Sequence, residues 1–215
     1  MSDEITEFTI GGLAIKLFRG DDVTGIIEKT GTFEPESLGE WLKFGSGIVI
    51  DIGAYSGVYS ITAALLGRKV IAFEPQPVMA NRLARNCLLN KAYVELHGDA
   101  VSDSAGTGKL WMKPNQPFSS GASLLVKNEF FLEVSKVTLD SVMAPLKGKI
   151  TAIKIDVEGH EPEVLRGAAE TIKRHKPIII TECTTDKRLP AQEKTLPGYS
   201  IIKKMDGRNF LWAPT

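Results

Sequence analysis

Cysteine is almost missing from this 215-residue chain: only Cys87 and Cys183 occur, far apart and not in a CxxC pair. That usage supplies neither a disulfide framework nor a thiolate metal cluster, and it fits a reducing, cytoplasmic setting. An excess of charge is missing too, with 26 basic and 26 acidic residues. Nucleic-acid affinity rests largely on a basic field that releases counterions, so nucleic acid is not expected as the main partner. Long apolar runs are also lacking. Residues 47–52 and 178–180 fall far short of the roughly 20 residues that cross a bilayer as a helix, which makes them buried strands and leaves no membrane partner expected. The opening Met1-Ser2-Asp3-Glu4 is acidic where an export signal needs a basic start and an apolar core. No repeat or low-complexity tract is present, and the length suits one domain, with residues 1–46 as a lead-in and 47–215 as the core.

What is present is an alternation of periods. Two β-prone runs, residues 8–10 and 13–17, flank Gly11-Gly12 and predict a lead-in hairpin. Leu38, Trp41, Leu42 and Phe44 predict a short amphipathic helix over 36–44. From Ile48 the chain reads strand (48–52), glycine turn, helix (58–66), strand (70–73) and helix (78–90). Strands over 94–96, 150–155 and 177–181 follow, with one helical stretch through Val164, Leu165, Ala168, Ala169 and Ile172. Such alternation implies βαβ units and a parallel sheet, an α/β doubly wound fold. Residues 199–203 and 209–213, separated by a turn at Met205-Asp206-Gly207-Arg208, close it with a hairpin. Two loops rich in turn residues, 113–123 and 184–198, are placed to border a substrate mouth.

Chemistry gathers where strands end. Asp51-Ile52-Gly53-Ala54-Tyr55-Ser56-Gly57 ends a strand in an acid and opens into a glycine turn that lets backbone approach a ligand. Glu74 ends the next strand 23 positions after Asp51 (74 minus 51), near the interval at which an acid reads ribose hydroxyls in doubly wound folds. Asp99, in His97-Gly98-Asp99-Ala100, adds an acid on the same rim, suited to accept from an adenine amino group. Lys154-Ile155-Asp156-Val157-Glu158-Gly159-His160-Glu161 crowds three acids and a histidine at a fourth strand end. His160, whose ordinary pKa lies nearest neutrality, is a candidate for proton removal or a cap for the turn. Glu161 and Glu163 suit either a site or the first turn of a helix opened by Pro162. Asp156, Glu158 and His160 offer oxygen and nitrogen donors, although no metal is assigned.

The glycine turn, Phe73-Glu74-Pro75, Val137-Thr138-Leu139-Asp140, and above all the 154–161 string followed by Val164-Leu165-Arg166-Gly167 resemble the FkbM family of class I methyltransferases over roughly residues 34–182. Tyr55 replaces the glycine common at the middle of class I motifs. The resemblance implies a seven-stranded Rossmann-like sheet with an antiparallel last strand and S-adenosylmethionine as cofactor. It also implies methylation of a hydroxyl on a small molecule such as a sugar or secondary metabolite. It assigns Asp51, Gly53 and Gly57 to the methionine side, Glu74 to the ribose, Asp99 to the adenine and Asp156 to the floor beside the methyl. Glu34, Ala54, Tyr55 and Ala100 complete the expected cofactor set, and Asp156, His160 and Glu158 the expected catalytic set. A nicotinamide-dependent oxidoreductase would require G-x-G-x-x-G, which Gly53 and Gly57 do not form. A non-catalytic module on the same fold is the other rival.

Overall fold

The computed structural model describes residues 4–113, 116, 118–125, 127, 130–183, 185 and 187–215. The start of the chain considered for an export signal, apart from Glu4, lies outside these, as do Pro114, Asn115 and Pro117 of one expected mouth loop and Thr184 and Asp186 of the other.

The chain opens with β1 (Ile5–Ile10) and β2 (Leu13–Phe18), paired antiparallel through Gly11 and Gly12. Both glycines take positive φ, as a two-residue hairpin turn demands. Next comes a helix that the sequence reading passed over, α1 (Asp22–Thr30), started by a capping box between Asp21 and Thr24 and stopped by left-handed Gly31. Helix α2 (Pro35–Trp41) is shorter than expected. It ends where Arg68 donates to the carbonyls of Trp41, Leu42 and Phe44.

The regular part follows: β3 (Ile48–Ile52), α3 (Val58–Leu65), β4 (Lys69–Phe73), α4 (Pro77–Asn90) and β5 (Glu95–His97). A small sheet interrupts, built from β6 (Ala100–Val101), β7 (Gly106–Met112) and β8 (Phe130–Val137), in the order β6-β8-β7. After α5 (Leu139–Met143) come β9 (Ile150–Ile155), α6 (Glu161–Arg166), α7 (Ala169–His175), β10 (Ile178–Glu182), α8 (Leu189–Thr195), β11 (Tyr199–Met205) and β12 (Asn209–Pro214).

The single helix expected across 164–172 is two helices. Gly167 has no room to carry a side chain, since a Cβ there would lie 2.0 Å from the Ser102 carbonyl oxygen. Asp140 then caps a fresh start by accepting from the amides of Glu170 and Thr171.

The main sheet has seven strands in the order β11-β12-β10-β9-β3-β4-β5. Only β12 runs against its neighbours. Alternation along each strand sorts the core into two layers. Val49, Val70 and Ala72 pack toward the N-terminal hairpin, α1, α2 and α3, while Ile50, Ile71 and Phe73 pack toward the face of α5, α6 and α7. The chain winds outward from β3 to β5, then returns to β9 beside β3 and winds the other way. The carboxyl ends of β3 and β9 therefore flank a topological switch point, where open α/β sheets bind ligands. Among the described residues no helix is long and apolar enough to cross a membrane.

Candidate functional site

A cleft of about 1150 Å³, counted out to its open mouth, lies over that switch point. Asp51, Gly53, Ala54, Tyr55, Glu74, Asp99, Ala100, Asp156, Glu158 and His160 all line it. Gly57 and Glu34 stand behind the wall. Gly57 is the left-handed N-cap of α3 and packs on Leu83. Glu34 is buried, accepting from the Tyr59 hydroxyl at 2.7 Å and from Arg208 at 3.3 Å.

Gly53 is glycine for a reason other than ligand approach. It sits at φ 79°, and a Cβ there would lie 1.8 Å from the Asp156 carbonyl oxygen. The ends of β3 and β9 thus touch backbone to backbone, which brings the carboxylates that follow them to one cleft.

On the β3–β4 side Glu74 and Asp51 are held by uncharged donors. Glu74 accepts at one oxygen from the Tyr55 amide at 2.8 Å and at the other from the Gln76 amide at 2.9 Å. Burial pushes its pKa up to about 7, opposed by those two amides and reinforced by Asp51. Asp51 accepts from Ser60 at 2.6 Å, and burial raises it to about 6. Tyr55, at φ 51°, puts its amide on Glu74 and its hydroxyl on the Phe118 carbonyl, and it accepts from the Asp22 amide at 3.3 Å. Ser120 binds the Asp22 carboxylate through amide and hydroxyl, at 2.8 and 3.0 Å. The segment around Phe118–Ser120 therefore straps α1 to the cleft. Asp99 is half-buried on the wall beside Ala100.

The β9–β10–β12 side is built differently. Lys154, fully buried, places Nζ 3.0 Å from Asp156 Oδ2 and 3.2 Å from Asn209 Oδ1. Burial alone would lower the pKa of this lysine, but Asp156, Glu34 and Glu182 hold it above its ordinary value. Asp156 is correspondingly held low: burial opposes ionisation, and Lys154 outweighs it. Glu182, at the end of β10, is 2% exposed and pushed up to about 9, by burial first and by Asp156 second. Arg208 reaches across the terminal hairpin, Nε lying 3.1 Å from Glu182. Glu158 sits at φ 53° and is raised to about 7 by burial and Asp156.

His160 begins α6, its Nε2 3.0 Å from Ser102 Oγ. Its Nδ1 is buried without a hydrogen-bond partner among the described residues, 3.6 Å from Glu163. Burial lowers its pKa, so the ring is neutral at pH 7. Glu161, open to two readings in the sequence, is buried and accepts from the amides of Val157 and Gly159, which fixes the turn carrying Glu158.

Sequence reasoning missed Glu182, Arg208 and Tyr59; the strap lies in the loop 113–123 expected to border the mouth, and Ser120 and Ala122 of that loop line the cleft. The rule that found Glu74 also reaches Glu182, an acid closing an apolar strand. Arg208 carries no local signal, because only the pairing of β12 with β10 brings it to the cleft.

The sequence profile of the methyltransferase FkbM domain matches residues 51–197. Among curated proteins, methyltransferase sdnD of Sordaria araneosa is 33% identical over 156 residues, covering 57% of this chain and 60% of that protein. Hexuronic acid methyltransferase AglP of Haloferax volcanii is 25% identical over 134 residues, covering 62% of this chain and 54% of that protein. The chain thus spans little more than half the length of these relatives. A crystal structure of methyltransferase FkbM from Methylobacillus flagellatus superposes with a TM-score of 0.53 at 19% identity, over 79% of this chain and 44% of that one. A T. thermophilus 16S rRNA N2 G1207 methyltransferase, in complex with AdoMet and guanosine, superposes at 0.55 and 13% identity, over 99% and 50%. Both support the fold alone.

Proposed function

The chain belongs to the methyltransferase FkbM family, and from that premise we propose that it transfers the methyl group of S-adenosylmethionine to a hydroxyl of a small molecule or sugar. The observation that carries this reading is Glu74: a carboxylate at a strand end beside the switch point, both oxygens fixed by backbone amides, lining the cleft. A carboxylate so held can still accept from the two ribose hydroxyls, because each oxygen has a second lone pair. Asp99 and Ala100 then face the adenine. Gly53, Ala54 and Tyr55, with Asp51 and Gly57 behind them, shape the methionine side, and Glu34 braces that wall through Tyr59. Asp156 lies beside the methyl. A sugar acceptor accords with the name of the hexuronic acid methyltransferase among the relatives.

Transfer from a sulfonium needs in-line placement of the acceptor oxygen. Its lone pair forms the new C–O bond, the C–S electron pair stays on sulfur, and the hydroxyl proton passes to a base. Burial favours the neutral His160 ring that a base requires, but its Nε2 is engaged by Ser102 and its Nδ1 is buried, so the ring must shift to serve. Asp156, kept ionised by Lys154, needs no such change. General-base assistance is worth about 100- to 10,000-fold. His160→Ala should therefore lower turnover by that order, with cofactor affinity unchanged, if His160 is the base, and full turnover would make His160 structural and pass the role to Asp156, Glu158 or a bound water. The reading as a whole is tested by calorimetry with S-adenosylmethionine and with NAD, followed by transfer of labelled methyl to a panel of sugars and hydroxylated small molecules. Binding of the sulfonium cofactor with methylation of a hydroxyl is expected. Binding of NAD instead, or of neither, overturns it.

A further inference from the structure

We propose that Asp156, Glu158 and Glu182 bind a hard divalent cation at the acceptor end of the cleft. One carboxylate oxygen from each residue lies within 4.8 Å of the other two. Two ligands on opposite sides of an ion such as Ca²⁺, at about 2.4 Å each, stand about that far apart, so one ion can reach all three.

An acidic cluster can be merely solvated, but Glu182 is not. It is 2% exposed and lines the cleft, and its Oε2 is buried with no hydrogen-bond partner among the described residues. A buried acceptor left unmatched is costly; a proton shared with Asp156 or a bound cation would each match it, and the titration below separates the two.

Charge counting leads the same way. Among the described residues, Glu34, Asp156, Glu158 and Glu182 meet Lys154 and Arg208, with Lys113 acting on Glu158 from farther off. Lys154 is spent on Asp156 and Asn209, and Arg208 is divided between Glu34 and Glu182. Glu158 has no cation within ion-pair distance among the described residues. The cluster thus holds more acid than its bases can match, an excess that a proton on Glu182 relieves in the empty cleft and a cation would relieve in a filled one.

The donors are all oxygens, a set that suits Mg²⁺, Mn²⁺ or Ca²⁺ over the softer transition metals. It also differs from the trio suggested by the sequence: Glu182 takes the place of His160, whose Nε2 is committed to Ser102. For the ion's role the proposal rests on the methyltransferase reading, in which a bound cation would hold the acceptor oxygen and ease loss of its proton. For binding itself it does not.

The test is a Mn²⁺ titration of the purified chain, followed by the loss of the free-ion paramagnetic resonance signal, without acceptor. Calorimetry with S-adenosylmethionine is run on the same preparation. One equivalent binding below about 1 mM, weakened at least tenfold in Glu182→Gln and in Glu158→Gln but not in Asp103→Asn, supports the site. Glu158 lies on a half-buried turn, so its variant carries the test if Glu182→Gln does not fold. No binding below about 1 mM, or binding indifferent to both substitutions, overturns the proposal. Cofactor binding without Mn²⁺ binding defeats the ion site alone, and Mn²⁺ binding without cofactor binding defeats the methyltransferase reading alone.

Discussion

The two halves of the cleft solve the problem of buried acid in opposite ways. On the β3–β4 side, Asp51 and Glu74 are each satisfied by uncharged donors of one βαβ unit, a hydroxyl and two backbone amides. On the β9–β10–β12 side, the carboxylates depend on Lys154 and Arg208 and on one another, and polar atoms of Glu182 and Asn209 are left without partners among the described residues. The carboxylates of the first half are matched before any ligand arrives, although Ser56 Oγ in the same turn has no partner among the described residues. The second is assembled from distant segments and keeps unspent charge, which makes it the half whose properties an occupant can change.

The largest expected effect lies on the seam between them. Gly53→Ala places a methyl where the Asp156 carbonyl stands, at a φ that side chains resist. It should destabilise the fold by about 3 kcal/mol or more, seen as a lowered urea midpoint. A near-normal midpoint would mean that the two strand ends separate freely and that the halves are independent.

Lys154→Met strips the second half of its buried cation and leaves Asp156 uncompensated. Removing one partner of a buried pair costs about 3 to 5 kcal/mol, and the exposed part of Asp156 argues for the lower end. The same measurement on Ser60→Ala, which removes a neutral donor from Asp51, should show a smaller loss, of about 1 to 3 kcal/mol. If the order is reversed, the contrast between the halves fails.

Glu74→Ala should weaken S-adenosylmethionine binding at least tenfold by calorimetry, since a charge-assisted hydrogen bond is worth roughly 1.5 to 3 kcal/mol. Unchanged affinity removes Glu74 from the site.

Acidity offers a finer probe. Glu74 ionises near 7 in the folded chain and near 4.3 when unfolded, so the folded form holds the extra proton between those values. Its contribution is fully present below about pH 4.3 and is lost as pH rises through about 7, at a rate of up to about 1.4 kcal/mol per pH unit. Thermal melts of the wild type and Glu74→Gln between pH 5 and 7 should show the flatter slope in the variant. Parallel slopes would mean that Glu74 titrates normally. Ser120→Ala, which removes the hydroxyl bond to Asp22 and keeps the amide one, is the smallest change, expected below about 1 kcal/mol in the same melts.

The first half of the site was also the more legible in sequence, for the same physical reason. Asp51, the glycine turn and Glu74 follow one another along one βαβ unit, so spacing alone places them together. The seven-stranded sheet, its antiparallel strand and the N-terminal hairpin agree with the sequence reading, because their periods are strong and their turns carry glycine. The failures have local causes. Helix α8, expected as loop, buries only Gln192, which anchors it by bonding Thr181 and the Glu182 carbonyl, so no apolar stripe announces it. Strand β7 is four-sevenths glycine, lysine and threonine, and its residues pair with partners 18 to 30 positions on. Glu182 and Arg208 meet across β10 and β12, a pairing that no spacing rule encodes.

That pairing has a consequence for how the protein is made. Asp206, in the last hairpin, accepts from the amides of Glu36 and Ser37, and its own amide returns a bond to Glu36, across 170 positions of chain. The adjacent Arg208 reaches Glu34. Synthesis runs from the N-terminus at about 5 to 20 residues per second. The segment around Glu34 therefore waits on the order of ten seconds, outside or within the ribosome's exit tunnel, before its partner exists. A translation intermediate stalled well past Gln76 but short of Asp206 can own the Glu74 cradle complete and still lack the wall that Arg208 closes.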